Sequence, residues 1–224
     1  MTKKILHKIV LVLLILSSSL FSDEFKKPPY DKRLDTHTYG KIWYDTADND
    51  YESSYNIGVF YRQVIKNNSL AEFWYKKSWN TKKNSISANN LGILYKSKKQ
   101  YDLAIHWYLE AYYFDKNKDS VNNLGFLYED LKNNRNAIMW YKKAIERESL
   151  DAMKNLSLLY YGQKKYIKAV EYMLPLSDKK YTKKKVFALF RTHWKFDEET
   201  IKKGYEAQLK SKIVPEKLKY KGGI

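Results

Sequence analysis

A short motif, N-N-L-G-I-L-Y at Asn89–Tyr95, returns with small changes along the chain. It reads N-N-L-G-F-L-Y at Asn122–Tyr128, K-N-L-S-L-L-Y at Lys154–Tyr160 and, more weakly, Y-N-I-G-V-F-Y at Tyr55–Tyr61. The small residue at its centre recurs at spacings of 34, 33 and 32 residues, as Gly58, Gly92, Gly125 and Ser157. A fixed period of this length is typical of a solenoid, in which each unit buries its apolar face against its neighbours.

A second motif follows each copy of the first. Ala104–Ala111 reads A-I-H-W-Y-L-E-A and Ala137–Ala144 reads A-I-M-W-Y-K-K-A, with weaker copies at Leu70–Ser78 and Ala169–Leu176. Its alanines, tryptophan and tyrosine fall at i, i+3, i+4 and i+7, which is the apolar stripe of an amphipathic helix. Each unit is therefore predicted to be two antiparallel helices joined by short polar turns.

The small residues in both motifs predict close contact between the two helices of a unit. We expect Gly92 to lie against Ala104, and the same contact in the next unit, because larger side chains would hold the backbones apart. A glycine inside a helix costs about 1 kcal/mol relative to alanine, so its recurrence at one phase indicates a steric need. Pro175 predicts that the second helix of the last unit ends near Met173.

The two motifs together, L-G-x-x-Y and then A-x-x-W-Y-x-x-A, resemble the tetratricopeptide-repeat superfamily and, in the second helix, its Sel-one-like branch. The resemblance covers about Tyr55 to Leu176. It implies an all-α fold, an α-solenoid of antiparallel helix pairs wound as a right-handed superhelix, and a role in protein–protein interaction. Degraded units flank it: Lys41–Ala47 resembles the second helix of an earlier unit, and Phe187–Phe190 with Ile201–Ala207 the two helices of a final one.

The N-terminus has the pattern of a secretory signal peptide. Three lysines precede eight unbroken apolar residues at Ile9–Leu16, and small serines follow. We predict cleavage after Ser22, with Ser19 as the alternative site, and a periplasmic or secreted mature chain. An uncleaved inner-membrane anchor is less favoured, because Ile9 to Phe21 is only 13 residues and a spanning helix needs about 20. The chain contains no cysteine, which excludes disulfides.

These signals divide the chain into four parts. Residues 1–22 are the predicted signal peptide, and residues 23–50 form a lead-in with a degraded capping helix. Residues 51–178 hold about four helical repeats of 32–34 residues, and residues 179–224 hold basic capping helices and a tail. We expect the tail after Ser211 to be frayed.

Positive charge is concentrated near the C-terminus. The formal net charge is +17, and residues 179–224 hold 14 basic against 5 acidic side chains. One interpretation is a site for a polyanion, such as an anionic lipid or envelope polymer, with contacts from Lys179, Lys180, Lys183, Lys184 and Lys185. The other is a solvated, lysine-rich cap, which the scarcity of arginine favours because arginine is the residue suited to bidentate phosphate contacts. Export would also disfavour nucleic acid as a partner.

No arrangement of residues in the sequence predicts catalysis, a cofactor or a metal site. The four histidines are His7, His37, His106 and His193. They are far apart and form no ligand-spaced pair. Asp45, Asp48 and Asp50 lack the glycine and the terminal glutamate of a calcium loop. We therefore predict a protein that is not an enzyme and uses no cofactor.

For binding, the resemblance points to the first helix of each unit as the wall of a concave groove. The positions that face the groove lie three residues before, and one and four residues after, the repeated glycine or serine. They are Tyr55, Val59, Arg62, Asn89, Ile93, Lys96, Asn122, Phe126, Glu129, Lys154, Leu158 and Tyr161. The asparagine with which family members clamp a C-terminal carboxylate is replaced here by apolar residues. An apolar peptide or an amphipathic helix is therefore the expected ligand.

An asparagine also stands two residues before each central small residue, at Asn56, Asn90, Asn123 and Asn155. Following the family consensus, we interpret these residues as structural, bonding to backbone between helices. The sequence as a whole predicts an exported, non-catalytic scaffold that binds an unidentified protein or peptide in its groove. The alternative is binding to an envelope polyanion or a membrane surface through the basic C-terminal segment.

Overall fold

The computed structural model describes residues 27–224, so the predicted signal peptide at 1–22 lies outside the described residues. The described part contains eleven α-helices, three short 3-10 helices and one π-helical turn. Its only β-type pairing is an isolated bridge between Ser177 and Tyr181. The predicted all-α fold is confirmed.

Four consecutive helix pairs form the body of the molecule. The helices are α1 (Gly40–Thr46), α2 (Tyr51–Gln63), α3 (Asn68–Thr81), α4 (Ser85–Ser97), α5 (Tyr101–Asp115), α6 (Lys118–Asp130), α7 (Asn134–Ile145), α8 (Leu150–Gly162), α9 (Tyr166–Met173), α10 (Lys183–Ala188) and α11 (Glu198–Lys210). The pairs are α2 with α3, α4 with α5, α6 with α7, and α8 with α9, and each second helix also packs on the first helix of the next pair. The pairs thus stack in chain order as the predicted α-solenoid.

Polar side chains fix where most of these helices begin. Eight side chains accept hydrogen bonds from N–H groups in the first helical turn, namely Asp50, Asn67, Asn84, Asn117, Asn133, Ser149, Thr182 and Asp197. Such caps satisfy donors that have no partner inside the helix, and each contributes about 1 kcal/mol. The polar stretches between the apolar motifs are therefore helix-start signals as well as turns.

The turn inside each helix pair contains a lysine in the left-handed conformation. These lysines are Lys66, Lys99, Lys132 and Lys164, with φ of 59° or 60°. The residue after each lysine closes the first helix; Gln100, for example, donates its N–H to the Tyr95 carbonyl at 2.9 Å. This closure normally favours glycine, because a Cβ is strained at positive φ.

The repeated glycines make room for a tyrosine ring from the second helix. A Cβ placed on Gly92 would lie 2.4 Å from Cδ1 of Tyr108, and one on Gly125 would lie 2.5 Å from the same atom of Tyr141. The nearest atoms therefore belong to a tyrosine of the second helix, which the sequence did not predict as the partner of this glycine. The steric need itself is real, because the tyrosine ring occupies the space that any side chain at this position would fill.

In the fourth pair a serine takes the place of the repeated glycine. Its serine, Ser157, donates its hydroxyl to the Ala169 carbonyl at 2.6 Å. Here the small residues of the two motifs do meet, as expected for the other pairs. The second helix has Met173 where the other pairs have this tyrosine, and its Tyr172, at the place of the repeated tryptophan, stacks on Tyr160 with ring centroids 5.8 Å apart.

A half-buried charge cluster ties the first pair to the second. Glu72 of α3 accepts hydrogen bonds from Lys76 at 2.7 Å, from Tyr95 at 2.6 Å and from Lys98 at 2.5 Å. Burial raises the pKa of Glu72, but the hydrogen bonds from Lys76, Lys98 and Tyr95 outweigh it and lower the pKa to about 2. The carboxylate is therefore ionised across the physiological range and holds α3 against α4.

The residues before the first pair cap its open end. Helix α1 packs on α2, and the Tyr61 hydroxyl of α2 donates to Asp31 at 2.9 Å. Asp48 pairs with Lys27 at 3.2 Å and with Lys77 of α3 at 2.8 Å. The lead-in is thus bonded to both helices of the first pair.

The C-terminal region departs from the expected pair of helices and frayed tail. Helix α9 ends at Met173, as Pro175 predicts, and α11 packs directly on α9. The segment after Ser211 folds back on α11: Gln208 is fully buried and exchanges two hydrogen bonds with the backbone of Tyr220, at 2.8 and 3.1 Å. The expectation of a frayed tail is wrong, because this buried amide and the apolar side chains around it hold the tail in place.

Candidate functional site

Short side chains join the first helices of successive pairs. Asn123 Nδ2 donates to Asn89 Oδ1 at 2.9 Å, and Asn155 Nδ2 donates to Asn122 Oδ1 at 3.1 Å. These bonds run from side chain to side chain, so the interpretation that the repeated asparagines bond to backbone between helices is wrong. An asparagine amide is short, so α4, α6 and α8 must lie close to one another.

Large aromatic pairs join the second helices. The rings of Trp79 and Trp107 meet edge to face with centroids 5.9 Å apart, and those of Tyr112 and Trp140 with centroids 5.6 Å apart. Aromatic rings separate the helices that carry them more than amides do. The first helices are therefore closer together than the second helices, and they form the concave side of the solenoid, which is where the resemblance places the groove.

The first helix of the first pair uses a different link. It has Tyr55 where the next two pairs have an asparagine acceptor, so Asn90 finds no amide in α2. Arg62 supplies the bond instead, donating from Nη1 to Asn90 Oδ1 at 3.0 Å. The Tyr55 ring packs against Tyr75 with centroids 6.0 Å apart. Two of the three predicted groove residues of this helix, Tyr55 and Arg62, thus also hold the solenoid together.

An apolar stripe runs along the middle of the concave side. Val59 and Ile93 are half-buried at its N-terminal end, whereas Phe126 and Leu158 are 44% and 42% exposed. Large apolar side chains with this exposure lose unfavourable water contact when a ligand covers them. A ligand would therefore bury the most exposed apolar surface in the half of the groove formed by α6 and α8.

Charged groups line one edge of this stripe. Lys96 Nζ lies 3.7 Å from the centre of the Phe126 ring and pairs with Asp130 at 2.9 Å. Glu129 accepts a hydrogen bond from the Tyr141 hydroxyl at 2.8 Å. Burial and this carboxylate both raise the pKa of Tyr141. Two of the predicted groove charges are thus engaged by residues of the protein itself.

The other two cations predicted to line the groove are Arg62 and Lys154. Arg62 forms no ion pair with a carboxylate among residues 27–224, and half-buried Lys154 forms none there either. The buried hydroxyl of Tyr75 lies near Arg62: burial raises its pKa to about 12, and the guanidinium opposes that rise. The concave surface thus has one uncompensated cation near each end.

The structure closes the groove at its C-terminal end. Tyr161, predicted to face the groove, is stacked on Trp194 with ring centroids 4.5 Å apart and planes 12° apart. Phe196 and Tyr166 also contact it, each with its centroid 6.0 Å away. Tyr161 is therefore part of an aromatic wall and not of the open surface. Sequence reasoning missed Trp194 because it lies outside the repeat period.

The lysines predicted to contact a polyanion lie at the surface of the C-terminal cap. Lys180 is bonded to Asp151 at the start of α8, and all five lysines are exposed. Lys183 and Lys184 line an open depression of about 570 Å³ with Phe187, Arg191 and the chain end. Arg191 is already held by a fork of two bonds to Glu198, at 2.7 and 3.0 Å.

The acidic cluster of the lead-in has structural partners. Asp45 pairs with Lys41, Asp48 with two lysines, and Asp50 caps α2. Within residues 27–224, no three histidine or acidic side chains converge in a way that could hold a metal ion. His106 packs against Trp107, and burial lowers its pKa.

Comparison with protein families identifies the repeats. The Tetratricopeptide repeat family model matches residues 87–118 and 119–149, and the Sel1 repeat model matches residues 52–78 and 150–180. The chain belongs to the tetratricopeptide-repeat superfamily. Its two central units follow the first model and the two outer units follow the Sel1-like branch. Families of these repeats are generally non-catalytic scaffolds for protein interaction.

The comparison with solved structures supports the fold. The crystal structure of MamA aligns over 79% of this chain and 99% of its own, with a TM-score of 0.52 and 20% identity. That identity supports a shared fold only. No curated protein matches the chain.

No helix among residues 27–224 combines the length and the apolar character required to cross a membrane.

Proposed function

We propose that the protein is an exported, non-catalytic scaffold whose concave groove binds a segment of a partner protein. The observation that carries the proposal is the exposed apolar stripe on the concave side, ending in Phe126 and Leu158. Asparagine links hold this side together from within, so the stripe remains open to a ligand while the helices keep their spacing.

An amphipathic helix fits this groove best. Its apolar face would cover the stripe, and acidic residues near its ends would meet Arg62 and Lys154. Neighbouring helices lie roughly 8–10 Å apart, so three steps along the groove span roughly 25–30 Å. A helix of about 16–20 residues has this length. The aromatic wall at Tyr161 would mark where the bound segment ends.

The first test is affinity capture with the mature chain, Asp23–Ile224, from envelope extract of the source cells, washed at low and at high salt. A groove ligand should stay bound at high salt, because apolar contacts are not screened. The double variant Phe126→Asp and Leu158→Asp should lose the captured protein and keep its helical circular dichroism. The matched control is Met139→Asp, which places the same charge at a side chain of 41% exposure on second helix α7. Capture that survives the double variant would refute the groove assignment.

The second candidate function is polyanion binding through Lys179, Lys180, Lys183, Lys184 and Lys185. The depression beside Lys183 and Lys184, with the Phe187 ring in its lining, favours it. Because exposed charges are screened over about 8 Å at physiological ionic strength, such binding should collapse between low and physiological salt. Binding to anionic polymer that is indifferent to salt would exclude this candidate.

Export and location form a separate part of the proposal. They depend on the sequence pattern of residues 1–22, with cleavage after Ser22 and a periplasmic or secreted product. The intact mass of the protein recovered from the envelope or the medium tests this directly. A chain beginning at Asp23 is expected, and a full-length chain in the membrane fraction would support the uncleaved anchor.

A further inference from the structure

One rim of the solenoid, away from the concave stripe, presents large apolar side chains to solvent. Tyr113 and Phe114, at the end of α5, are 66% and 52% exposed, and Ile86, at the start of α4, is 54% exposed. The Ser85 hydroxyl donates to Asp115 at 2.5 Å, which holds the start of α4 against the end of α5. These three side chains therefore lie on the same rim, where second helices end and first helices begin. We call Ile86, Tyr113 and Phe114 the aromatic rim.

The buried core supports the aromatic rim from behind. The Phe114 ring meets Trp79 edge to face with centroids 6.0 Å apart, and the Tyr113 ring lies 5.1 Å from that of Tyr112. Trp79 is itself buried against Trp107. The exposed rings are thus extensions of the aromatic columns that space the second helices. Each exposed ring therefore has a neighbouring ring behind it.

Cations lie over the aromatic rings behind the rim. Lys83 lies 5.0 Å from the centre of the Trp79 ring, and Lys116 and Arg147 lie 5.0 and 5.1 Å from that of Tyr112. Lys143 lies 4.5 Å from the Trp140 ring. None of these four cations is paired with a carboxylate among the residues that the structure describes.

Two of the acidic side chains near the rim are paired with lysines from the C-terminal region. Asp115 accepts from Ser85, Glu148 pairs with Lys217 at 2.7 Å, and Asp151 is bonded to Lys180. The last two bonds come from the basic C-terminal region, which therefore neutralises acids along this rim. Four exposed carboxylates along this rim form no ion pair among the described residues, namely Glu52, Asp115, Asp119 and Glu146. They lie among six exposed or half-exposed cations that also form none, namely Lys82, Lys83, Lys116, Lys118, Lys143 and Arg147, so the rim keeps an excess of positive charge.

We propose that the aromatic rim is a docking surface for an anionic phospholipid bilayer. Tyrosine and phenylalanine tips can enter the interfacial layer, while lysines extend their charged ends to the headgroups. The cations match the negative potential of such a surface. The rings protrude from the rim, so they suit a flat partner, whereas a peptide would be held in a concave groove. Docking by this rim would leave the groove free to bind its own ligand.

Vesicle co-sedimentation tests this proposal. The protein as purified from the exporting host is mixed with vesicles of phosphatidylcholine alone, or of equal parts phosphatidylcholine and phosphatidylglycerol. Binding to the anionic vesicles alone is expected. The double variant Tyr113→Ser and Phe114→Ser should bind at least about 10-fold more weakly, since it removes the buried apolar contact. Every variant carries the same N-terminus, so differences between variants report the rim.

Two further variants separate the rim from other sources of binding. Val64→Ser removes an apolar side chain of 60% exposure from the turn after α2 and should bind as the original protein does. Lys183→Glu with Lys184→Glu reverses charge in the C-terminal cap and should also leave binding unchanged within about twofold. Equal binding to both vesicle types, no binding to either, or loss only in the lysine variant would overturn the proposal. So would equal binding by the Tyr113 and Phe114 variant.

Discussion

Replacing Gly92 with alanine tests the packing rule on which the whole solenoid depends. In most helices this change is favourable by about 1 kcal/mol, because glycine has a larger entropy to lose on folding. Here the new Cβ would lie 2.4 Å from Cδ1 and 2.5 Å from Cε1 of Tyr108. We therefore expect Gly92→Ala to destabilise the protein.

The magnitude follows from the contact distances. Carbon atoms pack at about 3.5–4.0 Å, so the Tyr108 ring would have to move by more than about 1 Å. The ring is 1% exposed and cannot swing into solvent. Forcing an extra methyl group into such a core costs about 1–3 kcal/mol. Because the ring must move this far, the upper part of that range applies, about 2–3 kcal/mol. After the gain in helix propensity of about 1 kcal/mol, the net loss in the free energy of unfolding should be about 1–2 kcal/mol, or roughly 2–8 °C in the midpoint of thermal unfolding.

The chain contains a matched control for this experiment. Gly162, in the last turn of α8, has no atom within 4 Å of the position of an added Cβ. Its φ is not positive, so Gly162→Ala should stabilise the protein by up to about 1 kcal/mol. Both variants are unfolded by heat and by urea under circular dichroism. If Gly92→Ala is as stable as the original protein, the tyrosine-on-glycine contact does not control the packing of the pairs.

Three further predictions concern stability. The pKa of Glu72 is lower in the folded protein, so its stabilising effect is complete above its ordinary pKa of 4.5 and is lost as pH falls toward about 2. Urea unfolding measured between pH 5 and 2 should therefore show a fall in the free energy of unfolding that is about 2–3 kcal/mol smaller in Glu72→Gln than in the original protein. Lys99→Gly and Lys132→Gly should each raise the free energy of unfolding by about 1 kcal/mol, because they relieve a Cβ at positive φ; a loss would show that other contacts of the lysine dominate. Asn123→Ala leaves the Asn89 amide oxygen without its donor and should cost about 1 kcal/mol in the same assay, whereas an unchanged midpoint would refute a structural role for that bond.

The repeat period predicted most of the fold because the relevant information is local. Helix ends are set by caps such as Asn84 and Asn117, and the buried stripe is set by residues three and four positions apart. The contacts of Gly92 and Asn123 were predicted less well. Their partners, Tyr108 and Asn89, are brought to them by rotation of whole helices, and sequence spacing does not specify that rotation.

The candidate groove also has a part that the repeat pattern predicts and a part that it does not. Phe126 and Leu158 were predicted from their place in the repeat, and the structure leaves both exposed on first helices. Tyr161 has an equivalent place in the sequence and is covered, because Trp194 reaches it from outside the repeats. Whether Tyr161 is exposed depends on the path of the C-terminal segment. The contacts that fix this path lie outside the repeats, so the repeat pattern does not predict them.

The sequence by itself determined that this chain is an all-α solenoid, how many pairs it has, and which residues face its core. These properties follow from the apolar period and from small residues at one phase, which act over one or two helical turns. Only the tertiary structure decided the curvature, the closed end of the groove and the joining of Ile86 to Phe114 on one rim. Each of these depends on the distance between helices, and that distance is set by which side chains meet across them: asparagine amides on one side and aromatic rings on the other.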